Sequence, residues 1–387
     1  MASLRRNVRL LAGFNFLTDF SLFAPVAILY FARVCGSFAL GMSIFSIAML
    51  VSALTEVPTG ILSDRIGRKK TIIAGSVCSL AMIVFYALGF SYWYLVVGAI
   101  FEGLGRAFYS GNNDAFLHEV LVEHGLEHEY DHFLGRVNSL FQIALATSAL
   151  LGSVIASFSF AWLLWLSVIP QAAKLVLSFW FVDPPRHKFE GNVYSHLGIA
   201  LKLFWSNRKL RLLSLSSMLG FAFGESSYEF RSAFVNTVWP LWAIGFSKLL
   251  ANLGAAAGFY FSDRILKKIP APKFLLLTSI YSKIIHYAAL LVPTVVSPAL
   301  MATTSVYYGV GEVAESTLQQ REFTDEQRAT MASLVSFGGS LLFAVFSLFL
   351  GMVADAWSPR EGLLVMHTLS LVTLWLYGRL YWKHGRN

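Results

Sequence analysis

The sequence predicts an all-α polytopic membrane protein, with twelve transmembrane helices arranged in two pseudo-symmetric six-helix bundles. Three observations predict it. Hydrophobic residues make up 56% of the 387 and charged residues only 13%, about half the charged share of a soluble globular chain. The mean hydropathy is +0.61, and Phe (33) outnumbers Lys plus Arg (30). The charged residues gather in short segments between apolar runs long enough to cross a bilayer, which takes about 20 residues. A soluble fold of this length cannot hide so much apolar surface. Soluble enzymes, fibres, disulfide scaffolds and disordered chains are excluded. The net charge of +8 reads as a topology signal and predicts no nucleic-acid partner, because the cations sit in those short segments.

Apolar runs between charged or Gly/Pro breaks place the spans near 10–32, 38–62, 71–90, 92–117, 137–158, 160–182, 210–230, 241–262, 274–292, 299–319, 329–354 and 361–381. The first run follows Arg5, Arg6 and Arg9, is long enough to span and meets no small-residue cleavage site, so it is read as helix 1 and not a signal peptide. With the N-terminus in the cytoplasm, most Lys and Arg fall on the cytoplasmic side. Only Arg33, Arg231 and Arg360 fall in external turns, and Arg106, Lys174, Lys248 and Lys283 fall inside spans. That bias predicts both termini in the cytoplasm. Cys35, in an external turn, and Cys78, inside a span, are not expected to bridge.

The polar connection Asp183 to Arg208 divides the chain into an N-terminal bundle (1–182), a cytoplasmic linker (183–208) and a C-terminal bundle (209–387). Ser63-Asp64-Arg65-Ile66 recurs as Ser262-Asp263-Arg264-Ile265, each at the cytoplasmic end of the second span of its half. Arg136 followed by Ser139-Leu140 is echoed by Arg328 and Ser333-Leu334, each opening a fifth span. Two repeats in equivalent positions point to duplicated halves, the plan of many transporters, whose substrate sites lie near mid-membrane.

The run Gly60-Ile-Leu-Ser-Asp64-Arg65-Ile-Gly67-Arg68-Lys69-Lys70 resembles the signature between helices 2 and 3 of the major facilitator superfamily. With twelve spans and a partial second copy, the resemblance covers the whole chain. It implies secondary transport by alternating access, with this loop as a cytoplasmic gating latch. Gly67 permits a sharp turn, the basic residues anchor the loop, and Asp64 is placed to cap a neighbouring helix N-terminus. In the family that neighbour is helix 11, which here opens near Arg328, and the loop arginine pairs with an acid at the cytoplasmic end of helix 4, Asp114 or Glu119. The chain also departs from proton-coupled drug exporters. Ala99 stands where they usually carry an arginine, Arg106 follows Gly103-Leu-Gly105 instead, and Gly152 alone answers their Gly-Pro-rich fifth helix.

Ionisable groups within spans usually face a cavity or a partner. Asn15 and Asp19 share one face of helix 1, where exporters of this family often place an acid, and Pro25 also fits them. Glu56 precedes Pro58, two turns from Asp64. Glu102 and Arg106 are spaced i,i+4 in the favourable order, ahead of the polar patch Ser110-Gly111-Asn112-Asn113-Asp114. Helix 7 carries Glu225 and Glu229, and helix 10 Glu312 and Glu315. Two nearby carboxylates rarely ionise together in a low dielectric, so each pair is a candidate proton carrier. Lys174, Lys248 and Lys283 are expected to pair with acids or to snorkel.

His124, His128 and His132 would share a face of one helix and offer a zinc-type set. A solvated mixed-charge connector explains the same residues, so no metal is expected. Phe14, Phe16, Phe20, Phe108, Tyr109, Phe221 and Phe223 are either cavity lining for an apolar compound or helix packing. No Walker A motif is present, so neither ATP drive nor a cofactor is expected. The expected function is proton-coupled export of an amphipathic or drug-like compound by a monomer in a bacterial inner membrane. The alternatives are uptake of a small polar nutrient or metal complex, or a sensor or lipid-handling protein of the same fold. The expected partners are a small-molecule substrate, protons and the lipid bilayer.

Overall fold

The computed structural model describes residues 2–183, 204–205, 208–320 and 325–384. Helices joined by short turns make up these residues: α1 (Ala2–Asp19), α2 (Ala27–Cys35), α3 (Phe38–Ile66), α4 (Arg68–Leu88), α5 (Tyr92–Tyr109), α6 (Asn112–Glu123), α7 (Tyr130–Phe158), α8 (Phe160–Ser178), α9 (Arg208–Val238), α10 (Ile244–Leu266), α11 (Ala271–Leu291), α12 (Ser297–Ala302), α13 (Thr304–Gln320), α14 (Asp325–Ala356), α15 (Pro359–Leu369) and α16 (Leu371–His384). They account for the twelve spans. Four spans are broken in two: α1 with α2, α5 with α6, α12 with α13, and α15 with α16. Seven stretches among the described residues are long and apolar enough to cross a membrane, from Arg6–Cys35 to Pro359–Trp382. Several helices outside that set hold ionisable residues in mid-course: Glu102 and Arg106 in α5, Glu225, Glu229 and Arg231 in α9, and Glu312 and Glu315 in α13. Arg231 corrects one sequence expectation. It lies in no external turn, because α9 continues to Val238.

The chain forms two compact units. The first contains residues Met1–Tyr30 and Ile47–Gly191, and the second Phe31–Ser46 and Asn192–Asn387. In the first, α1 packs on α7 and α4 packs on α5 and α8. Its core collects Leu4, Leu11, Phe14, Ile72, Phe116, Leu117, Val120, Leu121 and Phe181. The break in the first span follows Asp19, and Pro25 falls in the 3-10 turn that starts α2. Gly152 lets α7 lie against this break, since a Cβ there would stand 1.8 Å from the Leu22 carbonyl oxygen. Tyr30 beyond the break donates to the Tyr86 carbonyl oxygen at 2.6 Å.

The second unit repeats the same pairings. α9 packs on α14 as α1 packs on α7, and α11 packs on α16 as α4 packs on α8. Its turns are held by side chains. Asp355, near the end of α14, accepts from the backbone N–H of Phe38 (2.6 Å) and Ala39 (2.9 Å) and from Ser37 Oγ (2.5 Å), capping the unpaired amides that open α3. Arg360 donates to the carbonyl oxygens of Leu290 (2.6 Å) and Leu291 (3.1 Å), where α11 ends.

Candidate functional site

In the first unit the break after Asp19 and the break between α5 and α6 bring polar side chains together. Asn113, in the first turn of α6, donates through Nδ2 to Asn15 Oδ1 at 3.1 Å, and both residues are buried. Tyr109 bonds to Asn113 and lies within the field of Asp19. Lys174 of α8, 3% exposed, acts on Asp19 and lies 5.7 Å from the centroid of the Phe14 ring. A nearby anion partly offsets the hydration a buried ammonium loses, and Asp19 is the acid whose field reaches Lys174. Lys174 therefore does not snorkel, and it forms no ion pair with an acid among the described residues. Gln171, one turn before Lys174, donates to the Leu17 carbonyl oxygen at 3.3 Å. Asn113 Oδ1 and Gln171 Oε1 are buried acceptors without a partner. The cluster therefore offers unpartnered acceptors and one buried cation.

Around it lie the other expected residues of this unit. Glu102 accepts from Arg106 Nη2 (2.7 Å) and from the Tyr86 hydroxyl (2.7 Å), so the i,i+4 pair forms and is braced from α4. Glu56 accepts from Ser110 Oγ at 3.0 Å.

The basic loop is organised by one side chain. Gly67 has φ +98°, a conformation that other residues rarely adopt, and this turns the chain from α3 into α4. Arg68 then reaches Asp64 (3.0 Å), Glu119 (2.8 Å) and Ser63 Oγ (2.9 Å). Ser63 Oγ donates onward to Asn112 Oδ1 at 2.6 Å. Of the two acids expected to meet the loop arginine, Glu119 makes the pair. The N–H of Lys69 donates to Asp183 at 3.0 Å, while Gly60 and Arg65 are exposed. In the second copy, Asp263 pairs with Lys267 at 2.6 Å on an exposed surface, the same i,i+4 spacing as Asp64 and Arg68. Arg264 stacks 5.7 Å from the Phe261 ring centroid. The side chain of Arg328 lies outside the described residues.

The second unit holds a larger charged cluster. Lys248 of α10 donates to the Tyr228 carbonyl oxygen at 3.1 Å, sits 3.4 Å from that ring's centroid, and is acted on by Glu225 and Glu229. Glu312 lies in the field of Glu225 and Glu315 in that of Glu312, so α9 and α13 bring their carboxylates together. Tyr377 donates to Glu315 Oε2 at 3.4 Å.

Two residues that the sequence reading missed, His286 and His367, stack with ring centroids 4.1 Å apart. They are 81 positions apart, and no local pattern joins them. The helix on which three histidines would share a face does not form. α6 stops at Glu123, Gly125 turns the chain, and α7 starts only at Tyr130. His132's side chain lies outside the described residues, and no group of three metal-ligating side chains occurs among those described.

Long apolar helices, broken spans and buried charged residues describe a multi-pass helical membrane protein. The model of the Major Facilitator Superfamily matches residues 9–325, and the chain belongs to that family. It is 29% identical over 134 residues to the inner membrane transport protein YajR of Escherichia coli, a match covering 34% of this chain and 28% of that protein. It is 27% identical over 165 residues to a glucose transport protein of Synechocystis sp., covering 38% and 33%. The chain thus spans about a third of the length of the curated relatives it matches. Among solved structures, the nucleoside transporter NupG superposes with TM-score 0.82 at 13% identity, covering 98% of this chain and 99% of that one. A bacterial homolog of the human lysosomal transporter Spinster, in an inward-facing and unoccupied conformation, gives 0.76 at 16% identity, covering 97% and 95%. At these identities the likeness is one of fold.

Proposed function

We propose that the chain is a secondary active transporter that moves a small polar organic solute by alternating access and couples it to protons through Asp19. The observation that carries this reading is the buried Lys174, within whose field Asp19 lies, beside Asn15, Asn113 and Tyr109. A proton on Asp19 removes the anion whose field reaches Lys174, and a polar group of the solute then takes its place. Proton and solute therefore exchange at one locus, and such differential affinity is what shifts a carrier between states. A polar solute is favoured over the drug-like compound expected from helix 1, because Phe14 and Phe223, 3% and 5% exposed, are used in packing. The orphan acceptors at Asn113 and Gln171 favour a hydrogen-bond donor.

In the same reading the protein is a monomer of two six-helix bundles, 1–182 and 209–387, joined by 183–208. It sits in a bacterial inner membrane with both termini cytoplasmic, supported by the distribution of Lys and Arg. The Arg68 hub stiffens the cytoplasmic loop on which the family latch depends.

The test is flux into proteoliposomes under an imposed pH gradient, with labelled sugars, nucleosides and organic acids. Asp19→Asn is expected to fold, to keep solute-for-solute exchange and to lose gradient-driven flux. Full gradient-driven flux in that variant removes Asp19 from the mechanism and turns attention to Glu225 and Glu312. Loss of thermal stability together with all flux makes Asp19 and Lys174 structural. The sign of the gradient dependence separates import from export.

A further inference from the structure

The second unit contains positive charge that the proton mechanism leaves unused. Arg231 of α9 makes no hydrogen bond or ion pair among the described residues, and its Nε is buried without a partner. Its guanidinium carbon stands 5.9 Å from the centroid of the Tyr228 ring. His286 of α11 and His367 of α15 are 4% and 7% exposed, and the Nε2 of each is likewise buried and unpartnered. The charged groups acting on both rings are Arg231 and Lys283. Lys283 itself is tethered to Ser370 Oγ. Three orphaned polar groups converging from three helices are a costly arrangement in a native interior unless something completes them.

The surroundings decide the sign of the missing partner. A metal cation is repelled by Arg231 and Lys283, whereas an anion is attracted by both. The carboxylates of neighbouring helices act on other groups, and none of them is among the charges acting on His286 or His367. Glu225 and Glu229 act on Lys248 and Tyr228. Glu312 and Glu315 of α13 act on each other, on Tyr308 and on Tyr377 of α16. Asp355 of α14 caps α3. His286 adds a chemical constraint. Its Nδ1 bonds to the Ser282 carbonyl oxygen at 2.7 Å, and a carbonyl only accepts, so Nδ1 carries the hydrogen. The Nε2 of the neutral ring is then bare, and it donates to an anion only after the ring takes a proton.

We propose that Arg231, Lys283, His286 and His367 bind the anionic group of the solute, a carboxylate or a phosphate, and that a proton enters with it on His286. The inference rests on the transport reading for its role, but binding is measured without flux.

The purified full-length chain is titrated with acetate, succinate, inorganic phosphate and glycerol 3-phosphate against chloride at equal ionic strength. Melting temperature is followed, together with calorimetry in two buffers of different ionisation enthalpy. At least one probe is expected to raise the melting temperature of the unmodified protein above that in chloride and to bind with net proton uptake. Carboxylate and phosphate arms tell the two chemistries apart. Arg231→Gln and His367→Gln are expected to weaken that probe by about tenfold or more, the loss of a charge-assisted hydrogen bond. His286→Asn is expected to remove the proton uptake. If no probe stabilises the unmodified protein beyond chloride, or one stabilises Arg231→Gln equally, the proposal is overturned, whether or not the variants fold well. Gradient-driven flux without anion binding sinks this inference and leaves the transport reading standing. Anion binding without any flux does the reverse.

Discussion

Gly152→Ala adds one methyl group to α7, and the structure fixes where it goes. The new Cβ would stand 1.8 Å from the Leu22 carbonyl oxygen and 2.8 Å from its carbon, where real Cβ contacts essentially never fall below 3.0 Å. α7 and the break after Asp19 must therefore part by about 1 Å or more, and the obstacle is backbone that cannot rotate away. Overpacking of this kind costs about 1–3 kcal/mol, offset by ~0.5–1 kcal/mol because Ala is the better helix former. The rigid obstacle favours the upper part of the range, a net loss of about 2 kcal/mol. At a few degrees per kcal/mol for large chains, the melting temperature in detergent is expected to fall by several degrees. Gly224→Ala is the control. Gly224 is also inside a helix, but its added Cβ meets nothing within 4 Å, so the propensity gain stands alone and the melting temperature rises slightly. Gradient-driven flux is expected to fall in Gly152→Ala, because the displaced segment adjoins Asp19. Equal melting temperatures for the two variants would refute the close approach of α7 to Leu22.

In the loop hub, Arg68→Leu and Glu119→Gln are expected to be strongly coupled. A double-mutant cycle on thermal stability should return about 1–2 kcal/mol, since both side chains are largely buried, at 20% and 16% exposure, and additivity would show the pair contributes nothing. Asp355→Ala is expected to cost about 1 kcal/mol through loss of the cap on α3, while Asp355→Asn keeps most of it. A larger loss in Asp355→Asn than in Asp355→Ala would remove capping as the explanation.

The spans were legible because a bilayer imposes a length and hydropathy that few other environments impose, and the Asp64-Arg65 repeat exposed the duplication directly. The i,i+4 pairs, Glu102 with Arg106 and Asp64 with Arg68, were readable for the same reason as any helical neighbours. Contacts between distant helices were not. Asp355 capping α3, and His286 stacked on His367, depend on tertiary placement that no window of sequence contains. Arg231 was misread because the polar run from Glu225 resembles a helix end, whereas α9 continues through it to Val238 and Lys248 of α10 lies in the field of Glu225 and Glu229. The histidine face between α6 and α7 failed for a local reason. Gly125 takes a left-handed conformation, φ +68°, and interrupts the periodicity on which the reading relied.

The position of Lys248 over the Tyr228 ring bears on how the chain is made. On insertion scales each ionisable residue near the centre of a span opposes release from the translocon by about 2.5–3.5 kcal/mol, and α9 carries Glu225, Glu229 and Arg231. Alone, α9 is a poor candidate to leave the aqueous channel for lipid. α10 follows after five residues and brings the ammonium that the two carboxylates face. The two helices are therefore expected to enter the bilayer as one hairpin, with Lys248 extruded from the ribosome before Glu225 leaves water.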